Sequence, residues 1–348
     1  MRRVWIAVVL GSVMLSGCAV LPGGSGSVSF RNDLSFLEKH LDVVVLSDEA
    51  SEAQVAVVPS LQGRVMTSTA KGGGGDSYGW INRELIASGK PLEHINAYGG
   101  EDRFWIGPEG GQFSVFFAKG VPFDLEHWFT PASIDTEPFD VVSQDRCTLT
   151  LTKEMQLKNY SGSSFDLRVD RDVRVLQAVE IAAALGVEPM PAVKMVGFET
   201  RNVMVNTGTR PWRKETGLLS IWILGMFNPS PETTVVVPFV AGGGAALGPI
   251  VNDAYFGKVP EERLIAGDGV LFFSGDGQYR SKIGLSPMRA KSVLGSYDAS
   301  RKMLTIVQYN KPSSARDYVN SMWEMQDEPY RGDVVNSYND GPPAPEEE

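Results

Sequence analysis

The chain has 348 residues, a formal net charge of −10, 43% hydrophobic residues, 37 glycines and 21 prolines. A surplus of acid on this scale argues against nucleic acid and against anionic lipid headgroups as partners. Two cysteines, only one of them beyond the N-terminal segment, leave no intramolecular disulfide and no cysteine zinc site.

The first elements are an address. Arg2 and Arg3 precede a short apolar run from Val4 to Leu15, closed by Leu15-Ser-Gly-Cys18. A run this short reads as a signal peptide over residues 1–17. The Leu-Ser-Gly-Cys ending resembles the bacterial lipobox, which implies that Cys18 is acylated and becomes the mature N-terminus. Residues 18–30 are then a lipidated cysteine and a glycine- and serine-rich tether with nothing to bury. A cell-envelope protein anchored to a membrane, expected to be the outer one, and facing the periplasm or the exterior follows from this.

Beyond the tether, 33–40 is predicted as a short helix and 43–46 as the first strand. Short β-branched and aromatic runs bounded by Gly, Pro, Asn or Asp predict further strands at 54–58, 64–69, 113–117, 139–143, 148–158 and 165–176. A second short helix is predicted at 178–185, then strands at 194–205, 218–224, 233–239, 269–273, 293–297 and 303–309. Between Phe165 and Val175 every second residue is charged until the phase slips at Arg171, a pattern consistent with a bulge. Cys147 shares a strand face with Leu149 and Leu151 and is read as a small core residue. Residues 31–341 form one domain in this reading, with a disordered acidic tail at 342–348. Many strands with few helices predict a large, mainly antiparallel all-β sandwich.

The densest stretch runs His94-Ile-Asn-Ala-Tyr-Gly-Gly-Glu-Asp-Arg-Phe-Trp-Ile-Gly-Pro-Glu-Gly-Gly111. Its glycines permit tight turns, so an imidazole, acids, a guanidinium and an indole can converge on a polyhydroxylated ligand. The competing reading is a well-hydrogen-bonded strand-turn-strand corner.

With this corner, Gln62-Gly-Arg-Val-Met-Thr-Ser68, Gly79-Trp-Ile-Asn82, Val205-Asn-Thr-Gly208, Ser220-Ile-Trp-Ile-Leu-Gly-Met226, Asn252-Asp-Ala-Tyr-Phe-Gly257, Arg280-Ser-Lys-Ile-Gly284, Gly295-Ser-Tyr-Asp298 and Gly332-Asp-Val-Val-Asn-Ser-Tyr-Asn-Asp-Gly341, the chain resembles the galactose mutarotase-like (aldose 1-epimerase-like) superfamily. The likeness spans roughly 34–341 and points to a branch of secreted bacterial lipoproteins. It implies a β-supersandwich with one or two short helices, a carbohydrate ligand in a cleft of the concave sheet, and no metal or other cofactor. In mutarotases a histidine protonates the ring oxygen while a glutamate takes the anomeric hydroxyl proton. His94 is the position resembling the early histidine. The second histidine of that family has no match, because His127 is followed by Trp128 and Phe129. The terminal strand that carries the glutamate is not matched either.

On these grounds the candidate acid is His94, and the candidate bases are Glu101, Glu109 and Glu324. Arg103 is expected to orient a sugar and Trp105 to stack on it, with Trp80, Trp222 and Trp323 competing for the stacking role. Arg280 and Lys282, two residues apart, could clasp an anionic sugar, and Asn206 could contact ligand. Each has a plainer reading: Arg103 paired with a nearby acid, the tryptophans in the core, Asn206 in a turn, and the basic pair as ordinary surface. Glycine clusters at 71–76 and 241–245 lack the Gly-Lys-Ser/Thr ending of a phosphate loop. No histidine pair has metal-ligand spacing, and no Gly-x-Ser-x-Gly elbow occurs on a strand-to-helix turn. The expected function is an extracytoplasmic lipoprotein that binds a carbohydrate, with sugar epimerisation or mutarotation by general acid–base chemistry. The alternatives are a non-catalytic glycan binder and a structural envelope lipoprotein.

Overall fold

The computed structural model describes residues 28–188 and 192–341. The signal peptide, Cys18 and tail 342–348 lie outside these residues, as does most of the tether. In chain order the helices and strands are α1 (Phe30–Leu37), β1 (Val44–Ser47), β2 (Gln54–Val58), β3 (Arg64–Thr69), α2 (Arg83–Ser88), β4 (Arg103–Gly107), β5 (Asp140–Gln144), β6 (Thr148–Lys158), β7 (Ser164–Val175) and α3 (Ala178–Leu185). There follow β8 (Phe198–Asn206), β9 (Ser220–Leu224), β10 (Thr233–Pro238), β11 (Leu264–Ala266), β12 (Val270–Ser274), β13 (Ser281–Leu285), β14 (Val293–Asp298), β15 (Met303–Gln308) and β16 (Val335–Asn339).

The fold is all-β, with antiparallel strands in five sheets of order β1-β2-β3, β5-β6-β7-β8, β4-β9, β13-β16 and β11-β12-β10-β14-β15. Three short helices stand among the described residues, one more than the expected maximum. The first begins three residues earlier than predicted, because Ser29 caps it by accepting the Asn32 N–H and Phe30 and Leu37 are buried. The helix at 178–185 has the expected bounds: Glu180 accepts the Gln177 N–H at 2.8 Å, and Gly186 ends it in the left-handed region.

Of three apolar cores among the described residues, the two largest organise most of these sheets. One gathers Leu149, Leu151, Leu167, Val169, Trp105, Trp128 and Trp222 from β4 to β9. The other gathers Val235, Val237, Leu271, Phe273, Ile283, Leu285 and Val335. The β13–β16 ribbon joins them, since Val335 packs in the second and Tyr338 in the first.

Three expectations are corrected. Residues 113–117 form turns rather than a strand: Ser114 bonds back to the Glu109 carbonyl, and Phe116 stacks on Trp128 at 5.2 Å. In β7 there is no phase slip, because the ladder to β6 runs unbroken through Leu151 opposite Arg171, and Arg171 occupies an inward position. It is wholly buried and ion-pairs with Asp102, which also accepts the Thr200 hydroxyl at 3.0 Å. The third concerns strands: β4, β11, β13 and β16 form outside the predicted runs. Cys147 sits half-buried at the margin of the first core.

Candidate functional site

The corner at 94–111 is a structural knot, not an open hollow. Gly100 has a φ of +105°, and an added Cβ there would lie 2.8 Å from the Val65 carbonyl oxygen, so the turn presses directly on β3. Arg103 is 2% exposed and donates to Asp135 at 2.7 Å and to the Ile134 carbonyl at 3.2 Å. Asn96 holds the same carboxylate at 2.7 Å. The guanidinium lies 4.2 Å from the Trp105 ring, and that indole is fully buried. Arg103 and Trp105 are therefore sealed, which corrects the expectation that they orient and stack a sugar. The partner that turns Arg103 inward, Asp135, is 32 residues away in sequence.

The other candidates scatter. His94 is half-buried, with Nδ1 donating to the Trp128 carbonyl at 2.8 Å and its ring 4.6 Å from Phe129. Glu101 is buried and accepts the backbone and hydroxyl protons of Ser68, at 2.5 and 2.8 Å. Burial pushes its carboxyl up to about 7 despite those bonds. Glu324 is exposed. Asn206 ends β8 and ties down the turn after it, donating to the Arg210 carbonyl at 2.8 Å and accepting the Gly208 N–H at 3.0 Å.

Glu109, Trp222, Arg280 and Lys282 do converge, at the junction of the two cores. Trp222 on β9 faces Trp105 across the β4–β9 ladder, and Trp105 donates its indole N–H to Glu109 at 2.7 Å. Lys282 on β13 stands directly opposite Tyr338 on β16. Its ammonium lies 3.8 Å from the Tyr255 ring and 4.9 Å from the Tyr338 ring. Arg280 lies 3.9 Å over the neighbouring Phe256, whose ring meets Tyr255 edge-on at 4.8 Å. The segment carrying Tyr255 is tied to β13 by reciprocal backbone bonds between Asn252 and Gly284, of 2.8 and 2.7 Å.

Of these, Trp222, Asn252, Tyr255, Lys282 and Gly284 line a recess of about 40 Å³, together with Asp333, Asn336, Tyr318, Asn320, Ser321 and Met322. That is room for a few water molecules or one edge of a sugar ring. Asp333 lies against Gly284, where a Cβ would collide with its carboxylate, and accepts the Asn252 amide at 3.0 Å. Glu109 is fixed just beyond by the Ser321 hydroxyl, which accepts its N–H at 3.2 Å. The Trp222 indole N–H is buried without a partner.

The electrostatics mark the same place. Burial lowers the Lys282 ammonium to about 8, although Glu109 and Asp333 pull it back up. Burial raises both carboxyls, against the opposing pull of Lys282. Tyr318 is pushed up to about 12, and Tyr255 and Tyr338 are raised as well, each chiefly by burial. Titratable groups shifted by burial and clustered in a recess mark a candidate site.

A second depression is far larger, about 840 Å³, and runs between the 115–137 segment and β6–β7. Its floor includes Phe116, Phe117 and Phe129, and its rim Glu137, Glu154, Lys158 and Asp166. Size alone favours this groove, but it gathers no comparable set of perturbed acids and bases, which makes the recess the candidate site. Among the described residues no three His, Cys, Asp or Glu side chains gather into a metal site, and no helix is long and apolar enough to cross a membrane.

Asp333, Tyr255, Tyr318, Tyr338, Asn252 and Asn336 were not among the sequence candidates. The signal lay in the segments 252–257, 280–284 and 332–341, which carry the resemblance and meet in the recess.

An antiparallel all-β protein with an acid–base recess between two apolar cores is the class these features define. The chain belongs to the family described as "Family of unknown function (DUF6786)", whose model matches residues 28–348. No curated protein matches it. Among solved structures it is similar to an Escherichia coli K12 protein provisionally named an aldose 1-epimerase, at 11% identity over 75% of this chain and 74% of that one, with a TM-score of 0.42. It is also similar to a galactose mutarotase-like protein from Lactobacillus casei ATCC 334, at 10% identity over 86% and 95%, with a TM-score of 0.44. A protein of Synechocystis sp. PCC 6803 matches at 14% identity over 86% and 93%, with a TM-score of 0.36. These are likenesses of fold alone.

Proposed function

We propose that this protein binds a carbohydrate through the recess around Lys282 and acts on it by general acid–base chemistry, while Cys18 anchors it by lipid on the extracytoplasmic side of a membrane. One observation carries the ligand reading: Lys282 and Asp333 line one recess with Trp222, whose buried indole N–H has no partner. Carboxylate and amide oxygens accept from sugar hydroxyls, the indole N–H donates to one, and the tyrosine rings suit the apolar C–H face. The recess admits one edge of a pyranose, and the rest of the ring lies over Asn320–Met322 at the rim.

For an aldose bound by its anomeric edge, Asp333 takes the hydroxyl proton while the Lys282 ammonium protonates the ring oxygen. The ring C–O bond then breaks and an open-chain aldehyde forms. A lysine titrating near 8 is matched to proton transfer around neutrality, and general acid–base assistance contributes about 10²–10⁴-fold. Glu109 is not in this transfer; its charge favours the ammonium.

The test is the exchange rate between anomers of a panel of aldoses, followed by polarimetry and NMR. Acceleration lost in Lys282→Met supports catalysis. Saturable binding without acceleration leaves a glycan-binding protein, and neither result removes the carbohydrate reading. For the anchor, the wild-type protein is expected in the detergent phase and Cys18→Ser in the aqueous phase; equal partitioning removes that claim.

A further inference from the structure

The acid–base reading ends with an aldehyde beside a lysine, and the geometry at that point supports more than proton transfer. Lys282 Nζ is held by two ring faces, at 3.8 and 4.9 Å, on a strand paired with β16 along one edge and bridged to Asn252 at Gly284 on the other. A side chain fixed in this way, in the lining of the recess, has little rotamer freedom left to lose. Asp333, positioned by Asn252 at 3.0 Å, lines the same narrow space.

We propose that Lys282 is a carbonyl-reactive amine, which forms a reversible imine with a small aldehyde or with the open-chain form of an aldose. The neutral amine attacks the carbonyl carbon, a C–N bond forms as the C=O π bond opens, and one amine proton passes to the carbonyl oxygen to give a carbinolamine. The Asp333 carboxyl donates a proton to the departing hydroxyl, the C–O bond breaks and water leaves, and the remaining nitrogen proton returns to the Asp333 carboxylate as the C=N bond forms. Aldehyde and amine are thereby converted to imine and water with no oxidant or reductant, and hydrolysis reverses every step. The groups acting on Lys282 are the carboxyls of Glu109 and Asp333 and the rings of Tyr255 and Tyr338, while Arg280, two residues back, lies over Phe256. Burial outweighs the two carboxyls and brings the ammonium down to about 8, so a useful fraction is neutral at physiological pH. A fully compensated surface ion pair would have kept it charged.

This inference shares the recess with the carbohydrate reading but does not need a cyclic sugar as ligand. The experiment therefore uses glycolaldehyde, which is small enough for about 40 Å³ and requires no ring opening. The wild-type protein is incubated with it and cyanoborohydride, and the reduced adducts are mapped by peptide mass spectrometry. Lys282 is expected to be trapped at least about tenfold faster near pH 7.5 than the exposed Lys71 and Lys302, as a lowered pKa enlarges the neutral fraction by tenfold per pH unit. Its rate is expected to level off above about pH 8. In Asp333→Asn, trapping at Lys282 slows and labelling of the two exposed lysines is unchanged. Labelling of Lys282 no faster than of Lys71 and Lys302 overturns the proposal, and an unchanged Lys282 rate in Asp333→Asn removes the assigned proton donor. A protein that binds sugars but is not trapped defeats this inference alone, whereas selective trapping without sugar binding defeats only the carbohydrate reading.

Discussion

Glu101 offers a quantitative check on the buried corner. It is 3% exposed, and its folded carboxyl titrates at about 7 against an ordinary 4.5. Below 4.5 the group is neutral in both folded and unfolded chains and contributes nothing to pH dependence. Between 4.5 and about 7 the unfolded chain ionises while the folded one keeps its proton, so stability falls as pH rises. Above about 7 the whole cost is present, about 3 kcal/mol at roughly 1.4 kcal/mol per pH unit. Glu101→Gln removes this titration but also disturbs the two bonds from Ser68, so its absolute stability is not the readout. The readout is the difference between variant and wild type by urea denaturation at pH 4.5, 5.5, 6.5 and 7.5. That difference is expected to move in the variant's favour by up to about 3 kcal/mol across the window. A difference that stays flat, or moves the other way, refutes the burial argument for Glu101.

Other perturbations test other parts of the account. Asp102→Ala leaves Arg171 buried without its carboxylate, and by denaturation it is expected to cost about 3–5 kcal/mol; Arg171→Met together with Asp102→Ala should recover part of that loss. Gly284→Ala drives a methyl group into the Asp333 carboxylate, so ligand response is expected to disappear while the circular dichroism spectrum is kept. Any acid-catalysed exchange at the recess should decline above about pH 8, as the Lys282 ammonium, lowered from 10.5, loses its proton. A rate still rising at pH 9 would show that some other group supplies the proton.

Local pattern was enough where the force is local. Residues 54–58, 64–69 and 148–158 are strands within the predicted bounds, and 178–185 is a capped helix, because alternation and end signals lie inside each segment. It misled where a partner lies far away. Arg171 reads as a break in alternation, yet it fills an inward position because Asp102, 69 residues earlier, neutralises it there. Arg103 is drawn inward in the same way by Asp135. The stretch 113–117 has the composition of a strand, but its aromatic rings are drawn into the cluster with Trp128 and Trp323. The recess takes Trp222, Tyr255, Lys282, Tyr318 and Asp333 from five separate segments, and no spacing rule brings those together. Of the ten site candidates, Glu109, Trp222, Arg280 and Lys282 meet at or beside it.

The Trp222 indole N–H reports directly on whether the recess is the ligand site, since it is buried, lines that space and has no acceptor of its own. Its NMR signal, followed while a panel of aldoses is titrated into the wild-type protein and Asp333→Asn, is the decisive measurement. The account expects at least one sugar to move that signal saturably in the wild type and far more weakly in the variant. Sugars that bind without moving it, perturbing instead the groove around Phe129, would contradict the assignment of the recess.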